Sequence, residues 1–179
     1  AYQSNNRLTN DGDTQWRKIT GLLSIWILGM YNPSPETTVV IPFVGGDQDK
    51  LGPAVNDEYF GKVPAERLIV RDDILFFSGD GQYRSKIGIT PQRAKSTIGS
   101  YDAAAGMLTL VHYNRPNDAT DYVNSMWELQ DRPYAGDAIN SYNDGPPEPG
   151  KAPLGPFYEL ETSSPAVELG PRGSVTHNH

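Results

Sequence analysis

Two glutamates at alternate positions, Glu159 and Glu161, are the residues of this sequence whose spacing points most directly to chemistry. In a strand covering residues 157–162, the period of two places both carboxyl groups on one face, roughly 6.5 to 7 Å apart. Carboxylates this close raise each other's pKa if they are desolvated, which would supply a general acid or base near neutral pH. If the face is open to solvent, both glutamates are hydrated surface groups. The spacing alone leaves both interpretations open.

Aromatic side chains and their amide neighbours form a second set of candidates. A sugar presents apolar C–H faces and a ring of hydroxyls, and a pocket lined by aromatic rings with a few polar groups matches both. The candidates for contacting a sugar are Trp26, Gln130, Tyr134, Asn140, Tyr142 and Asn143, with Trp127 and Tyr158 as further aromatic rings. Most of these rings fit a hydrophobic core equally well.

Two basic residues alternate in the segment 82–89, where Arg84 and Lys86 share one face of a predicted strand. This face could reach an anionic or hydroxylated ligand. The alternative is a solvated outer face, whose charges would discourage aggregation through a sheet edge.

Metal ligands are sparse, since the sequence has no cysteine and three histidines. His177 and His179 alternate onto one face near the end of the chain, and His112 lies in another predicted strand. Paired with a carboxylate they would suit zinc, although a His-x-His pattern alone is a weak signal. Asp144, with Asp137 nearby in sequence, offers the hard oxygen donors that calcium takes, and the alternative for it is ordinary turn chemistry. No other cofactor is indicated.

Composition and missing motifs exclude several classes of function. The sequence has no Gly-x-Ser-x-Gly elbow, phosphate loop or dinucleotide fingerprint, which argues against nucleophilic and nucleotide chemistry. The net charge of −7, with no basic run to neutralise phosphates, argues against a nucleic-acid partner. No apolar run approaches the roughly 20 residues of a membrane span.

Short strands are the elements that must position these groups. With 18 Gly, 15 Pro and 10 Tyr, the composition favours many strands joined by turns, in one domain that spans residues 1–179. The segments 73–78 and 82–89 flank a Gly-Asp-Gly turn, which predicts a hairpin. We also predict a strand in each of the segments 22–30, 37–43, 95–101, 107–114 and 122–130. The first of these is expected to be buried, and Trp127 is expected to lie in the core on the apolar face of the last.

Three segments, residues 124–130, 141–146 and 155–161, resemble an uncharacterised bacterial family within the galactose mutarotase-like superfamily, which includes the aldose 1-epimerases. Residues 6–10, followed by Trp16, look like the strand and turn near the middle of such domains. The likeness covers nearly all of the chain.

For the fold, the resemblance implies an antiparallel, all-β supersandwich. Domains of the superfamily are longer, so this chain is expected to be the C-terminal portion of one. A portion of a sheet leaves open strand edges, and the expected partner is therefore a companion chain or a second copy that completes the sheet. Because no Met precedes Ala1, either a leader has been removed or the chain is a piece of a longer protein. A removed leader would place the protein in the periplasm or outside the cell.

For function, the resemblance implies recognition of a carbohydrate, with anomer interconversion or a related sugar reaction. In mutarotases a glutamate on a late strand removes the proton of the anomeric hydroxyl, and a histidine protonates the ring oxygen. Glu161 matches that glutamate, with Glu159 beside it, whereas Trp26 stands near the place of the histidine. His112 or a terminal histidine would have to take the role. The alternatives are a non-catalytic sugar-binding or accessory domain and a purely structural β-domain, so the sequence leaves open whether the protein is an enzyme.

Overall fold

The computed structural model describes residues 1–179 and contains eleven strands and one short helix. In chain order the elements are β1 (Asn5–Thr9), β2 (Trp26–Tyr31), β3 (Thr37–Pro42), α1 (Gln48–Leu51), β4 (Leu68–Arg71), β5 (Ile74–Ser78), β6 (Ser85–Ile89), β7 (Thr97–Asp102), β8 (Met107–His112), β9 (Ile139–Asn143), β10 (Tyr158–Ser163) and β11 (Ser174–Asn178). The predicted all-β class is confirmed. The single helix has four residues, and no helix has the length and apolarity to cross a membrane.

The strands form three antiparallel sheets. A four-stranded sheet has the order β2-β10-β9-β6, a five-stranded sheet has the order β4-β5-β3-β7-β8, and β1 pairs with β11. Side chains of the two larger sheets meet in a hydrophobic core of 17 buried residues. Ile87, Ile139 and Leu160 enter this core from the four-stranded sheet, and Val39 and Phe77 enter it from the five-stranded sheet. The two sheets therefore pack in a sandwich-like arrangement.

Local sequence accounts for the strands of the five-stranded sheet. The β-branched run of β3 suits a pleated strand, and its alternation sends Val39 and Ile41 into the core. The predicted strand in residues 37–43 is confirmed. The strands predicted in residues 95–101 and 107–114 are also present, as β7 and β8, and they pair with each other.

The predicted hairpin around the Gly-Asp-Gly turn is wrong. Both of its strands exist, but β5 pairs with β3 and β4, whereas β6 pairs with β9 in the other sheet. The linker between them therefore crosses from one sheet to the other. Asn143 holds this crossing, because its side chain accepts a hydrogen bond from the Gly81 N–H at 2.8 Å and donates one to Asp80 at 3.1 Å. A contact distant in sequence thus overrides the local turn signal.

Two further strand predictions need correction. Residues 122–130 form no strand, apart from a single bridge between Tyr122 and Ala135, and Trp127 is 95% exposed instead of lying in the core. The segment 22–30 is not a buried strand either, because β2 begins only at Trp26 and pairs with β10 alone at the edge of its sheet. Tyr122 and Leu22, at the starts of these segments, are nevertheless buried.

Candidate functional site

The outer face of the four-stranded sheet carries the charged residues that the sequence singles out. Glu159 on β10 lies opposite Met30 on β2 and Tyr142 on β9, and Tyr142 in turn lies opposite Lys86 on β6. Directly opposite residues of antiparallel strands project to the same face. These four side chains therefore form one row across the sheet. The alternation predicted in residues 157–162 is confirmed, with Leu160 on the core side.

A cavity of about 390 Å³ lies over this row. It is lined by Trp26, Leu28, Met30, Tyr59, Phe60, Arg84, Lys86, Ser125, Met126, Trp127, Tyr142, Leu154, Phe157 and Glu159. Small-molecule sites typically have roughly 300–1,000 Å³ and are lined by apolar and aromatic side chains with a few placed polar groups. The cavity has both properties.

Three irregular segments complete the walls of the cavity, and one of them carries Leu154 and Phe157. Phe60, between α1 and β4, lies under the guanidinium group of Arg84, whose central carbon is 4.1 Å from the ring centroid. The loop that carries Trp127 is braced by Gln130, which accepts a hydrogen bond from the Asn124 amide at 2.9 Å and donates one to the carbonyl oxygen of Met126 at 3.3 Å. Gln130 does not line the cavity itself, so the predicted contact with a sugar is replaced by a role in positioning the loop of Trp127.

Glu161 is fully buried beneath the cavity, on the same face of β10 as Glu159. Its Oε2 accepts hydrogen bonds from Lys86 Nζ at 2.9 Å and from Trp26 Nε1 at 2.8 Å. The same Nζ lies 4.8 Å from the ring centroid of Trp26 and 5.3 Å from that of Tyr59. The buried cation therefore has a carboxylate and two aromatic faces around it, which compensates for the loss of its hydration.

Glu159 lines the cavity and is 4% exposed. Burial and then the negative charge of Glu161 raise the pKa of Glu159 from 4.5 to about 8, against the opposing effect of Lys86. Oε1 of Glu161 is buried and has no hydrogen-bond partner. With its pKa at about 8, Glu159 holds a proton near neutral pH. The interpretation of this face as solvated is therefore wrong.

A second buried acid, Asp137, lies behind Tyr59. The Tyr59 hydroxyl donates a hydrogen bond to Asp137 Oδ2 at 2.7 Å and accepts one from Asn140 Nδ2 at 2.9 Å. Burial raises the pKa of Asp137 to about 6, although the hydrogen bond from Tyr59 lowers it. The carboxylate fits because position 88 is glycine, where a Cβ atom would lie 1.9 Å from Asp137 Oδ2. Tyr59 thus connects a second titratable group to the cavity.

Four of the predicted sugar-contacting residues line the cavity together with Glu159, namely Trp26, Arg84, Lys86 and Tyr142. Asn140 lies on the same face, but its amide is used by Tyr59 and by the carbonyl oxygen of Ile87. The structure thus brings half of the predicted binding set together with the predicted acid.

Two other predicted contacts are placed elsewhere. Asn143 faces the interior and supports the crossing between the sheets, as its bonds to Gly81 and Asp80 show. Tyr134 borders a different, polar cavity, and its hydroxyl accepts a hydrogen bond from the backbone N–H of Leu22 at 2.7 Å. Tyr158, a further aromatic candidate, is a core residue that stacks on Tyr31 with ring centroids 5.4 Å apart.

None of the three histidines lines the cavity. His112 lies on the edge strand of the five-stranded sheet and is hydrogen-bonded to Thr97, so the prediction that places it beside the glutamates is wrong. His177 and His179 approach the hydroxyl of Thr162 at 2.8 and 2.9 Å, on the core side of β10. Burial lowers the pKa of His177 to about 4, so its ring is neutral at physiological pH.

Asp144, the predicted calcium ligand, is engaged with protein donors. One carboxylate oxygen accepts a hydrogen bond from the Tyr142 hydroxyl at 2.9 Å, and the other accepts one from the Gly155 N–H at 2.7 Å. No three histidine, aspartate or glutamate side chains gather into a group that could hold a metal ion. In this structure Asp144 orients Tyr142, whose pKa is raised to about 12 by burial and by this hydrogen bond.

Sequence reasoning missed several residues of the site. Tyr59 and Phe60 lie in a segment without hydrophobic periodicity, and Leu154 lies in a Pro/Gly-rich stretch. Asp137 was predicted only as an oxygen donor for calcium. No local pattern reports which loops fold back over a sheet, so these residues had no signal in the sequence beyond their types.

The model of one protein family matches residues 1–179, and it is described as a family of unknown function, DUF6786. No curated protein and no solved structure matches the chain. The comparisons therefore assign no activity to this chain.

Proposed function

The chain belongs to the DUF6786 family, and we propose that it binds a carbohydrate in the cavity over β10. Glu159 would be the group that exchanges a proton with the bound sugar. The observation that carries this proposal is the buried Glu159 carboxyl group, which lines an aromatic cavity and whose pKa is raised to about 8 by burial and by the charge of Glu161 on the same face of β10.

The lining of the cavity supports a sugar as its ligand. Rings such as those of Trp26, Phe157 and Tyr142 offer flat apolar surface for the C–H faces of a pyranose. Arg84 and Lys86 donate hydrogen bonds, and a carboxyl group can both donate and accept them, which suits hydroxyl groups. A purely apolar ligand would cover the Glu159 carboxyl group without offering it a hydrogen-bond partner, which costs free energy.

The carboxyl pair supports proton exchange as well as binding. Ring opening of an aldose breaks the bond between C1 and the ring oxygen, moves the proton of the anomeric hydroxyl to a base, and places a proton on the ring oxygen. A carboxyl group with a pKa near the working pH serves such transfers best. The resemblance to mutarotases assigns the base to Glu161, but Glu161 is fully buried and bound to Lys86 and Trp26. We therefore assign proton exchange with the ligand to Glu159. Tyr59, whose side chain also lines the cavity, is the second candidate for a proton-transferring group.

A non-catalytic sugar-binding domain is the second candidate. Trp26 stands near the position where the resemblance implies a histidine, and none of the three histidines lines the cavity. Without a histidine to protonate the ring oxygen, the site could still bind a sugar. Any turnover would then depend on Glu159 alone or on Glu159 with Tyr59.

Magnetisation-exchange NMR on free glucose, galactose and mannose, combined with calorimetric titration, tests both candidates. We expect at least one sugar to bind, and Glu159→Gln to slow anomer interconversion by about 100-fold or more while affinity changes by less than about tenfold. Glu36→Gln changes an exposed glutamate that does not line the cavity; it is the matched control and should change neither quantity. Binding without any acceleration of interconversion would select the non-catalytic candidate. If no sugar binds, the proposal is wrong.

A further inference from the structure

We propose that the ligand extends beyond this cavity, so that the natural substrate or ligand is a glycan of at least two linked sugar units. This inference rests on the proposed carbohydrate function and adds the class of carbohydrate. It is based on a second cavity that adjoins the first along β10.

The second cavity has a volume of about 230 Å³ and is lined by Ser24, Trp26, Val123, Asn124, Ser125, Met126, Trp127 and Ser163. Four of these residues, Trp26, Ser125, Met126 and Trp127, also line the cavity over Glu159. A volume below roughly 300 Å³ is small for an independent ligand site. The shared wall makes the second cavity a continuation of the first.

The register of β10 gives the direction and length of this continuation. Glu159 lines the first cavity and Ser163 lines the second, and both project from the outer face of the strand. Four residues along a strand span about 13 Å. That distance exceeds one sugar ring, so one monosaccharide does not fill both cavities. A linear chain of sugars that follows β10 would do so.

The chemistry of the second cavity fits a neutral sugar unit. Its lining contains no charged side chain, in contrast to the first cavity with Arg84, Lys86 and Glu159. Hydroxyl groups are available in it. The Ser24 hydroxyl, for example, accepts a hydrogen bond from the Val123 N–H at 3.4 Å and keeps its own proton to donate. Aromatic rings and hydroxyls without charge are what an uncharged sugar unit requires.

Trp127 supplies the surface that links the two cavities. Its side chain is 95% exposed, and the loop that carries it is held by the hydrogen bonds of Gln130. A large aromatic side chain that lies in solvent while bordering two cavities gains contact area only when a ligand covers it. Stacking of a sugar unit on the ring of Trp127 would bury this surface.

Calorimetric titration with a matched series tests the inference: glucose, galactose and mannose, each with the corresponding disaccharide and trisaccharide. The wild-type protein should bind at least one disaccharide about fivefold or more tightly than its monosaccharide, because the second unit gains contact with an aromatic ring. Ser163→Val removes a hydroxyl group from the second cavity and narrows it, with a side chain that strands favour. It should reduce the disaccharide affinity to that of the monosaccharide and leave the monosaccharide affinity within about twofold.

Two further variants keep the test decisive. Trp127→Ala, at an exposed position, should remove the same gain even if Ser163→Val does not fold. Leu108→Ala, an exposed apolar residue on the five-stranded sheet, should leave the gain intact. Equal affinity of wild type for monosaccharides and longer sugars would overturn the inference while the proposed function stands. Binding of no sugar of any length would overturn both.

Discussion

The inner face of the four-stranded sheet carries Ile87, Ile139 and Leu160, whereas its outer face, built from the residues between them, carries Lys86, Glu159 and Glu161. Every residue of β10 is buried, and so is every residue of β6 and β9. On these three strands both faces are therefore buried, but they are covered in different ways. The inner face is covered by a second sheet, and the outer face is covered by loops around a cavity.

The two faces also differ in what their burial contributes. Each large aliphatic side chain on the inner face stabilises the fold by about 1.5–3 kcal/mol. On the outer face, the desolvation of the ion pair between Lys86 and Glu161 offsets much of its attraction, and well-packed apolar residues often stabilise a protein as well or better. Stability alone does not account for charges at these positions. The binding site proposed above would account for charges beside an aromatic cavity.

Removal of one member of the ion pair gives the largest expected effect on the outer face. Lys86→Met leaves Glu161 buried without its cation and should lower the free energy of unfolding by about 3–5 kcal/mol, measured by urea denaturation at pH 7. The double variant with Glu161→Gln should regain a large part of this loss, because no charge then remains uncompensated.

The matched control for this prediction is Lys95→Met. Lys95 pairs with Asp73 at 3.4 Å, but both side chains are largely exposed, so we expect a loss of about 0–1 kcal/mol. A similarly small loss for Lys86→Met would show that water screens the pair, and it would remove the contrast between the outer face and an ordinary surface.

The proton held by Glu159 gives a smaller, pH-dependent effect. Its pKa is raised in the folded protein, so between about 4.5 and about 8 the unfolded state is more fully ionised than the folded state. The unfolded state then binds fewer protons, and the free energy of unfolding falls as the pH rises through this window. The inner side has the opposite dependence, because the lowered pKa of His177 makes the fold lose stability as the pH falls from 6.5 to about 4.

Urea denaturation between pH 7.5 and 8.5, with wild type compared to Glu159→Gln, separates the contribution of Glu159 from that of His177, whose unfolded-state titration near 6.5 is then largely complete. The wild-type free energy of unfolding should decline across this range, and Glu159→Gln should flatten the decline. The raised pKa of Asp137 lies lower, at about 6, and its contribution is largely complete before this range. A decline of equal slope in wild type and Glu159→Gln would mean that another group binds the proton.

The sequence predicted the inner face better than the outer one. Alternation in residues 157–162 places Leu160 and Glu159 on opposite faces, and that rule depends only on strand geometry. The assignment of β5 and β6 to different sheets was not predictable. The Gly-Asp-Gly sequence after β5 is typical of a hairpin turn, but Asn143, far along the chain, binds this segment where it crosses to the other sheet. This long-range contact determines the sheet to which β6 belongs, and no short stretch of sequence contains both of its partners.

The site was predictable where strands carry it and not where loops do. Trp26, Lys86 and Tyr142 belong to strands and were found from their types and alternation. Tyr59 and Trp127 reach the cavity from irregular segments, whose path over the sheet depends on tertiary contacts. Trp127 was expected in the core because hydrophobicity does not distinguish a side chain that packs from one that borders a cavity.

Truncation of Trp127 should have the smallest effect on stability, and it tests the difference between cavity and core directly. Trp127→Ala should change the free energy of unfolding by no more than about 0.5 kcal/mol, because the side chain is 95% exposed and buries little surface on folding. Leu160→Ala, on the inner face and fully buried, should cost about 2–5 kcal/mol through lost burial and a new cavity. Both are measured by urea denaturation under the same conditions. A loss of several kcal/mol for Trp127→Ala would place the ring in the core, and the surface that joins the two cavities would then have to be assigned to Trp26 and Met126 instead.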